Sequence, residues 1–293
     1  MKSSQNQNQN QSQRRTQSQR KKKCSPKKTE TKPLIYPEGT KVVAIINFNT
    51  PDLVDAAIKS VRKHGGRDYQ VVVFDNSKEV TFPASSGMPE RHYAFRPFTQ
   101  QMENVTVYDN TRDQIIDFNE TLSKYPGNPR HASCNNSASM KHILTVQKLW
   151  DLIPQGFVLL ESDVLLKANI DFMFSNTYAV VGHVIKQQKG NRFGIGRVAP
   201  FLCYMNVPLL TKYGARYFDP QRAWMLYPEE DDKRNWYDTG ACLLDDVKRL
   251  KPHLKGLHVD IRNLMVHMQS GSWRNHGITP AQWLKMYEYL WRE

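Results

Sequence analysis

The residues best suited to chemistry in this sequence are Glu161 and Asp163, one residue apart in Glu161-Ser162-Asp163. They interrupt an apolar run that opens with Phe157-Val158-Leu159-Leu160 and resumes as Val164-Leu165-Leu166. A run of this length reads as a buried strand. Its carboxylates then lie at the carboxyl end, where open α/β sheets bind ligands. Paired oxygen donors there suit a hard divalent cation, Mg²⁺ or Mn²⁺, of the kind that accompanies a diphosphate. A strand that simply ends in a polar turn accounts for the same residues. Two further acids close apolar runs, Asp75 after Val71-Val72-Val73-Phe74 and Asp109 after Val105-Thr106-Val107-Tyr108.

The elements that must position these acids follow from hydrophobic periodicity. Residues 41–49 read as a first strand. Thr50-Pro51 then opens a helix to about His64, with Thr50 as N-cap and Pro51 in the first helical position. Leu53, Val54, Ala57, Ile58 and Val61 share one face of that helix, and Gly65-Gly66 closes it. A second strand covers 69–77, so the chain begins with a βαβ unit and a right-handed crossover. Residues 78–103 are expected to be irregular, 105–108 a short strand, and 111–124 weakly helical. A helix capped at Asn135 or Asn136 and running to Leu152 leads into the Glu161 strand. Strands follow at 179–185, 201–206 and 264–267, with helices from Val207 to about Gly214, from Asp238-Thr239-Gly240 to Leu250, and over 279–291. Residues 186–197 and 216–236 are expected to be loops, the second containing the acidic run Glu229–Asp232.

Composition sets the limits. The chain has 293 residues and a formal net charge of +13, but the charge is uneven. Ten of the 41 Lys and Arg fall in residues 1–33 against one Glu, so the basic character belongs to a tail. That tail, rich in Gln, Asn and Ser, cannot bury enough apolar surface to fold and is expected to be disordered. Its run Arg20-Lys21-Lys22-Lys23 suits an anionic membrane surface or nucleic acid, and suits a merely solvated tail as well. Residues 34–293 are expected to form one domain. The four cysteines are far apart in sequence and read as reduced thiols. With no signal peptide and no transmembrane run, a cytoplasmic location is expected.

Taken together, Asn47-Phe48-Asn49, Asp75-Asn76-Ser77 and Glu161-Ser162-Asp163 resemble a GT-A fold glycosyltransferase of the family 2-like group, over roughly residues 40–273. The resemblance implies a Rossmann-like, mixed and mostly parallel sheet flanked by helices. It implies transfer of a sugar from a nucleotide-diphospho-sugar, UDP-linked, to a glycan, protein or lipid-linked hydroxyl acceptor, with Mn²⁺ or Mg²⁺. On it, Asp75 contacts base or ribose, Asn47 and Asn49 line the nucleotide pocket, Asp163 is the firmest metal ligand, and Glu161 replaces the family's usual Asp. It also points to His267 as a further metal ligand, where a hydrogen-bonded imidazole is the alternative, and to Asp238 as general base for an inverting reaction. Helix capping accounts for Asp238 equally well. Two other functions compete. A metal-dependent nucleotidyltransferase would normally carry a Gly-rich loop where this chain has Asn49-Thr50-Pro51. A non-catalytic protein would bind nucleic acid through the basic tail, with a steep salt dependence.

Overall fold

The computed structural model describes residues 30–66, 68–82, 91–123, 138–186, 196–220, 222, 239–268 and 278–292. The disordered-tail expectation for residues 1–33 falls almost wholly outside them, as do Asp238, the Glu229–Asp232 run and the Asn135/Asn136 cap.

Strand β1 (Val42–Asn47) leads into helix α1 (Pro51–Gly65) and strand β2 (Gln70–Asp75), which is the expected βαβ unit. A small antiparallel hairpin, β3 (Val80–Phe82) and β4 (Arg91–Tyr93), stands where an irregular stretch was expected. Strand β5 (Val105–Asp109), helix α2 (Phe118–Ser123) and helix α3 (Ala138–Leu152) precede β6 (Phe157–Glu161) and β7 (Val164–Leu166). The second half contains β8 (Val180–Ile185), β9 (Arg197–Met205), α4 (Val207–Lys212) and α5 (Ala241–Arg249). It ends with β10 (Gly256–His258), β11 (Met265–His267) and α6 (Pro280–Met286).

Seven strands form one sheet in the order β10-β8-β9-β6-β1-β2-β5. Strands β6, β1, β2 and β5 run parallel to their neighbours in that group, β10 runs parallel to β8, and β9 is antiparallel to both β6 and β8. This is the expected mixed, mostly parallel α/β sheet. It has three layers, because side chains alternate across each strand. Val42, Ala44, Phe157 and Leu159 face α3, whose Ile143, Val146 and Leu149 cover that side. Val43, Ile45, Val158 and Leu160 face the other way, onto Val54, Ala57, Ile58 and Val61 of α1 and onto Val164 and Leu166. Both faces are covered, which is why these strands are continuous apolar runs rather than alternating ones.

The Phe157–Leu166 run is two strands, not one. β6 belongs to the large sheet, whereas β7 leaves it and pairs antiparallel with β11 in a separate ribbon. The chain turns at Ser162-Asp163, and the ribbon packs on α1, where Ser60 Oγ accepts from Leu166 N at 3.0 Å. Strand β9 starts at Arg197, earlier than expected, and carries an irregularity where its pairing with β8 shifts between Gly182 and Val184. Pro200 sits in that stretch, and its missing N–H suits a break in the ladder. The C-terminal helix stops at Met286, short of the expected 291, and a 3-10 turn over Glu288–Leu290 follows.

Candidate metal and nucleotide site

β1 is the strand where the order of the parallel group reverses. Its successor β2 lies on one side and β6 on the other, so the carboxyl ends of β1 and β6 flank the topological switch point at which open α/β sheets bind ligands. Asn47, Asp75 and Glu161 all fall at this edge. Asn47 is in register with Asp75, and Ile46 with Glu161.

Glu161, Asp163 and His267 come together here, each offering a ligand atom within 4.8 Å of the others. His267 Nε2 lies 3.2 Å from Asp163 Oδ1 and 3.4 Å from Glu161 Oε2. The β7–β11 ladder fixes the arrangement, with His267 in register with Val164 and Met268 N donating to Asp163 O at 3.0 Å. Phe201 packs on the His267 ring, centroids 4.6 Å apart. Phe201 lies in the irregular part of β9, a feature that commonly re-aims a side chain next to a site. On the other side of Glu161, His142 Nε2 of α3 stands 3.8 Å from Oε1.

Burial alone would lower the pKa of His267. The Asp163 and Glu161 carboxylates reverse this and push it up to about 9. The His267 Nε2 atom is buried and is not aligned on either carboxylate as a hydrogen bond. A buried nitrogen facing two carboxylates is a donor set that a divalent cation completes. Two oxygens and one imidazole suit Mn²⁺ better than the all-oxygen preference of Mg²⁺. The residues present therefore fit the expected cation.

Asn47, Asn49 and Asp75 are spent inward. Asp75 is 1% exposed; Oδ1 accepts from Asn47 Nδ2 at 3.0 Å and Ser77 N at 2.9 Å, and Oδ2 from Phe98 N at 2.6 Å. Asn47 Nδ2 also donates to Ser77 Oγ, while Asn47 Oδ1 accepts from Thr50 N, so the amide is used at both ends. Asn49 sits at φ 57°, a left-handed conformation that Asn tolerates. Its side chain donates to Lys78 O and accepts from Lys78 N and Arg96 N, both at 3.1 Å. These three residues hold the segments 76–78 and 96–98 against the ends of β1 and β2. Sequence reasoning missed Ser77 and Thr50 as members of this frame. The Thr50 hydroxyl also reaches Ser162 Oγ at 3.2 Å, tying the turn after β1 to the Glu161–Asp163 corner.

Lys78, whose backbone Asn49 holds, has Lys141 as a charged neighbour. Lys78 pairs with Asp113 Oδ1. Burial pushes the Lys141 ammonium's pKa down, Lys78 adds to this, and Asp113 opposes it. A cavity of about 670 Å³ opens beside the cluster, lined by His267 and Phe201 together with His183, His258, Asp260 and Arg262. Asp238 lies outside the described residues. Gly240, two residues on, has φ 81° and packs so tightly on Val198 that a Cβ would fall 2.3 Å from Val198 O.

No protein-family model matches the chain, and no curated protein matches it either. Solved structures that resemble it include the galactosyltransferase LgtC in complex with donor and acceptor sugar analogs. That likeness has 13% identity, covers 75% of this chain and 74% of the other, and has a TM-score of 0.44. Mouse xyloside xylosyltransferase 1 is similar at 12% identity over 75% of this chain and 85% of the other, TM-score 0.43. The S. cerevisiae mannosyltransferase Ktr4p in complex with GDP is similar at 8% identity over 83% and 77%, TM-score 0.40. Among the described residues, no helix is long and apolar enough to cross a membrane.

Proposed function

We propose that residues 34–293 form a GT-A glycosyltransferase domain that moves a sugar from a nucleotide-diphospho-sugar, UDP-linked, to a hydroxyl acceptor. The observation that carries this reading is the convergence of Glu161, Asp163 and the buried His267 Nε2 at the switch point of a mostly parallel sheet. Asp163, Glu161 and His267 would hold Mn²⁺ or Mg²⁺. When bound, such an ion acts as a Lewis acid that offsets the charge growing on a diphosphate leaving group.

Asn47, Asn49, Asp75, Lys78 and Lys141 support that chemistry from around it, and Asp238 takes part in it. Asn47, Asn49 and Asp75 shape the nucleotide side by fixing the 76–78 and 96–98 segments; their polar atoms face the protein, so their part is to pre-organise the pocket. Lys78 and Lys141 give that side a positive balance over Asp113, which favours a polyphosphate. The cavity beside His267 provides room for the acceptor, within the size range of small-molecule sites. Asp238 takes the acceptor's proton as general base; Asp238→Asn should remove transfer while sparing donor binding.

The test is a hydrolysis and binding screen of nucleotide-sugars with and without Mn²⁺. Metal-dependent turnover of at least one donor is expected. If none is bound or turned over in either condition, the reading fails.

A further inference from the structure

The sheet's alternation places Glu161 on the same face as Phe157 and Leu159, the face covered by α3. Asp163 lies past the turn, on the arm that pairs with β11. Glu161 therefore has to serve a cluster that is built mainly on the other side of its strand. It is longer than the Asp it replaces in the resembled family, and its two oxygens are divided: Oε2 faces His267 at 3.4 Å and Oε1 faces His142 at 3.8 Å.

His142 occupies a telling place on α3. It continues the stripe of Val146, Leu149 and Ile153, each fully buried against the sheet. At that spacing an apolar side chain would be expected. Instead an imidazole stands at the head of the stripe, with both ring nitrogens enclosed and the carboxylate of Glu161 in front of it. Ligating carboxylates usually have outer partners of this kind, which orient the ligand and raise its affinity for metal.

We propose that His142 is the positioning residue for Glu161: it engages Oε1 from the α3 side and so turns Oε2 toward His267 and Asp163. The longer Glu at this position is then the counterpart of the histidine on α3. This inference rests on the metal-site reading given above.

The test is the affinity of the full chain for Mn²⁺ alone, measured by electron paramagnetic resonance of free Mn²⁺ with His142→Ala, His142→Gln, Glu161→Asp and the His142→Ala/Glu161→Asp double variant. His142→Ala should weaken binding roughly 10–100-fold, and His142→Gln, which keeps an N–H donor, should recover most of it. Glu161→Asp draws the carboxylate back from α3. In that background His142→Ala should cost little more, a strongly non-additive cycle. Wild-type affinity in His142→Ala, or fully additive losses in the cycle, overturns the inference. Should His142→Ala not fold, the Gln variant decides alone: an affinity reduced as far as that of Glu161→Asp overturns it. Absence of Mn²⁺ binding by the wild-type chain overturns the metal reading as well, which separates the two failures.

Discussion

His267 Nε2 stands 3.2 Å from Asp163 Oδ1, and the backbone next to both residues is joined by the same ladder, through His267 with Val164 and Met268 N with Asp163 O. In the metal-free protein that pair is an ion pair. The carboxylates hold the His267 pKa near 9 against burial, which would lower it. Because the folded value lies above the unfolded one, about 6.5, the proton stabilises the metal-free fold fully below about pH 6.5. That contribution is lost as pH rises through about 9.

A cation at Glu161, Asp163 and His267 has to displace this proton. Mn²⁺ affinity should rise roughly tenfold per pH unit between about pH 6.5 and 9 and then level off. Titrations at several pH values, with proton release followed in weak buffer, check this. A pH-independent affinity over that range would mean that His267 is not a ligand.

Asp163→Ala removes the carboxylate closest to His267. Mn²⁺ binding should be lost and donor turnover should fall by roughly 10²–10³-fold or more, the scale of removing a transition-state charge stabiliser. Far-ultraviolet circular dichroism should be unchanged. Full activity in this variant would contradict the proposed metal site.

Asp75→Ala should act on stability. It strands three buried N–H groups, one of the two on Asn47 Nδ2 (the other stays on Ser77 Oγ) and those of Ser77 and Phe98. Each costs roughly 1–3 kcal/mol when left unpaired, so urea denaturation should show a loss of about 3 kcal/mol or more. Nucleotide affinity should fall as well, because the 76–78 and 96–98 segments lose their anchor.

Asp246 gives the clearest acid-sensitive contact away from the site. It is fully buried on α5 and takes a two-pronged contact from Arg222, with Nη1 on Oδ1 at 2.8 Å and Nη2 on Oδ2 at 3.0 Å. Arg249 Nη2 and Arg216 N complete the set. Burial would raise its pKa, but these partners hold it below the ordinary value. The stabilisation is complete above about pH 4, the unfolded value, and is lost as pH falls through the depressed folded one. Asp246→Ala leaves Arg222 with the part-exposed Asp219 and Asp245 and strands the Arg216 N–H, and should cost about 1–3 kcal/mol at neutral pH, with a much weaker acid dependence below pH 4 than wild type. Denaturation at pH 7 and at pH 3 separates the two effects.

The parts of this architecture that were readable in the sequence are those written in long apolar runs. β1, β2 and β6 are buried on both faces, so their composition alone declares them. α1 is declared by its spaced apolar face and by Pro51 at its start. β10 and the β3–β4 hairpin escaped because three-residue strands with polar and exposed positions carry no period to detect. The break between β6 and β7 escaped for another reason. Val164-Leu165-Leu166 is as apolar as the residues before it, and only its pairing with the distant β11 moves it into a second sheet. Register between remote strands is a tertiary property that local pattern does not encode. The amides and acids at the strand ends show the same divide. Their positions followed from the pattern, but the inward hydrogen bonds of Asn47, Asn49 and Asp75 depend on segments 76–78 and 96–98, whose course the sequence leaves open.

The ribbon of β7 and β11 also sets an order of events during synthesis. A growing chain carries Glu161 and Asp163 long before it reaches His267, and until then the two carboxylates have neither their nitrogen partner nor the strand that holds Asp163 in place. The proposed metal centre thus cannot mature before synthesis has passed residue 267. Products that terminate early would present a weak, open carboxylate pair, and metal capture would mark those molecules whose synthesis had passed residue 267.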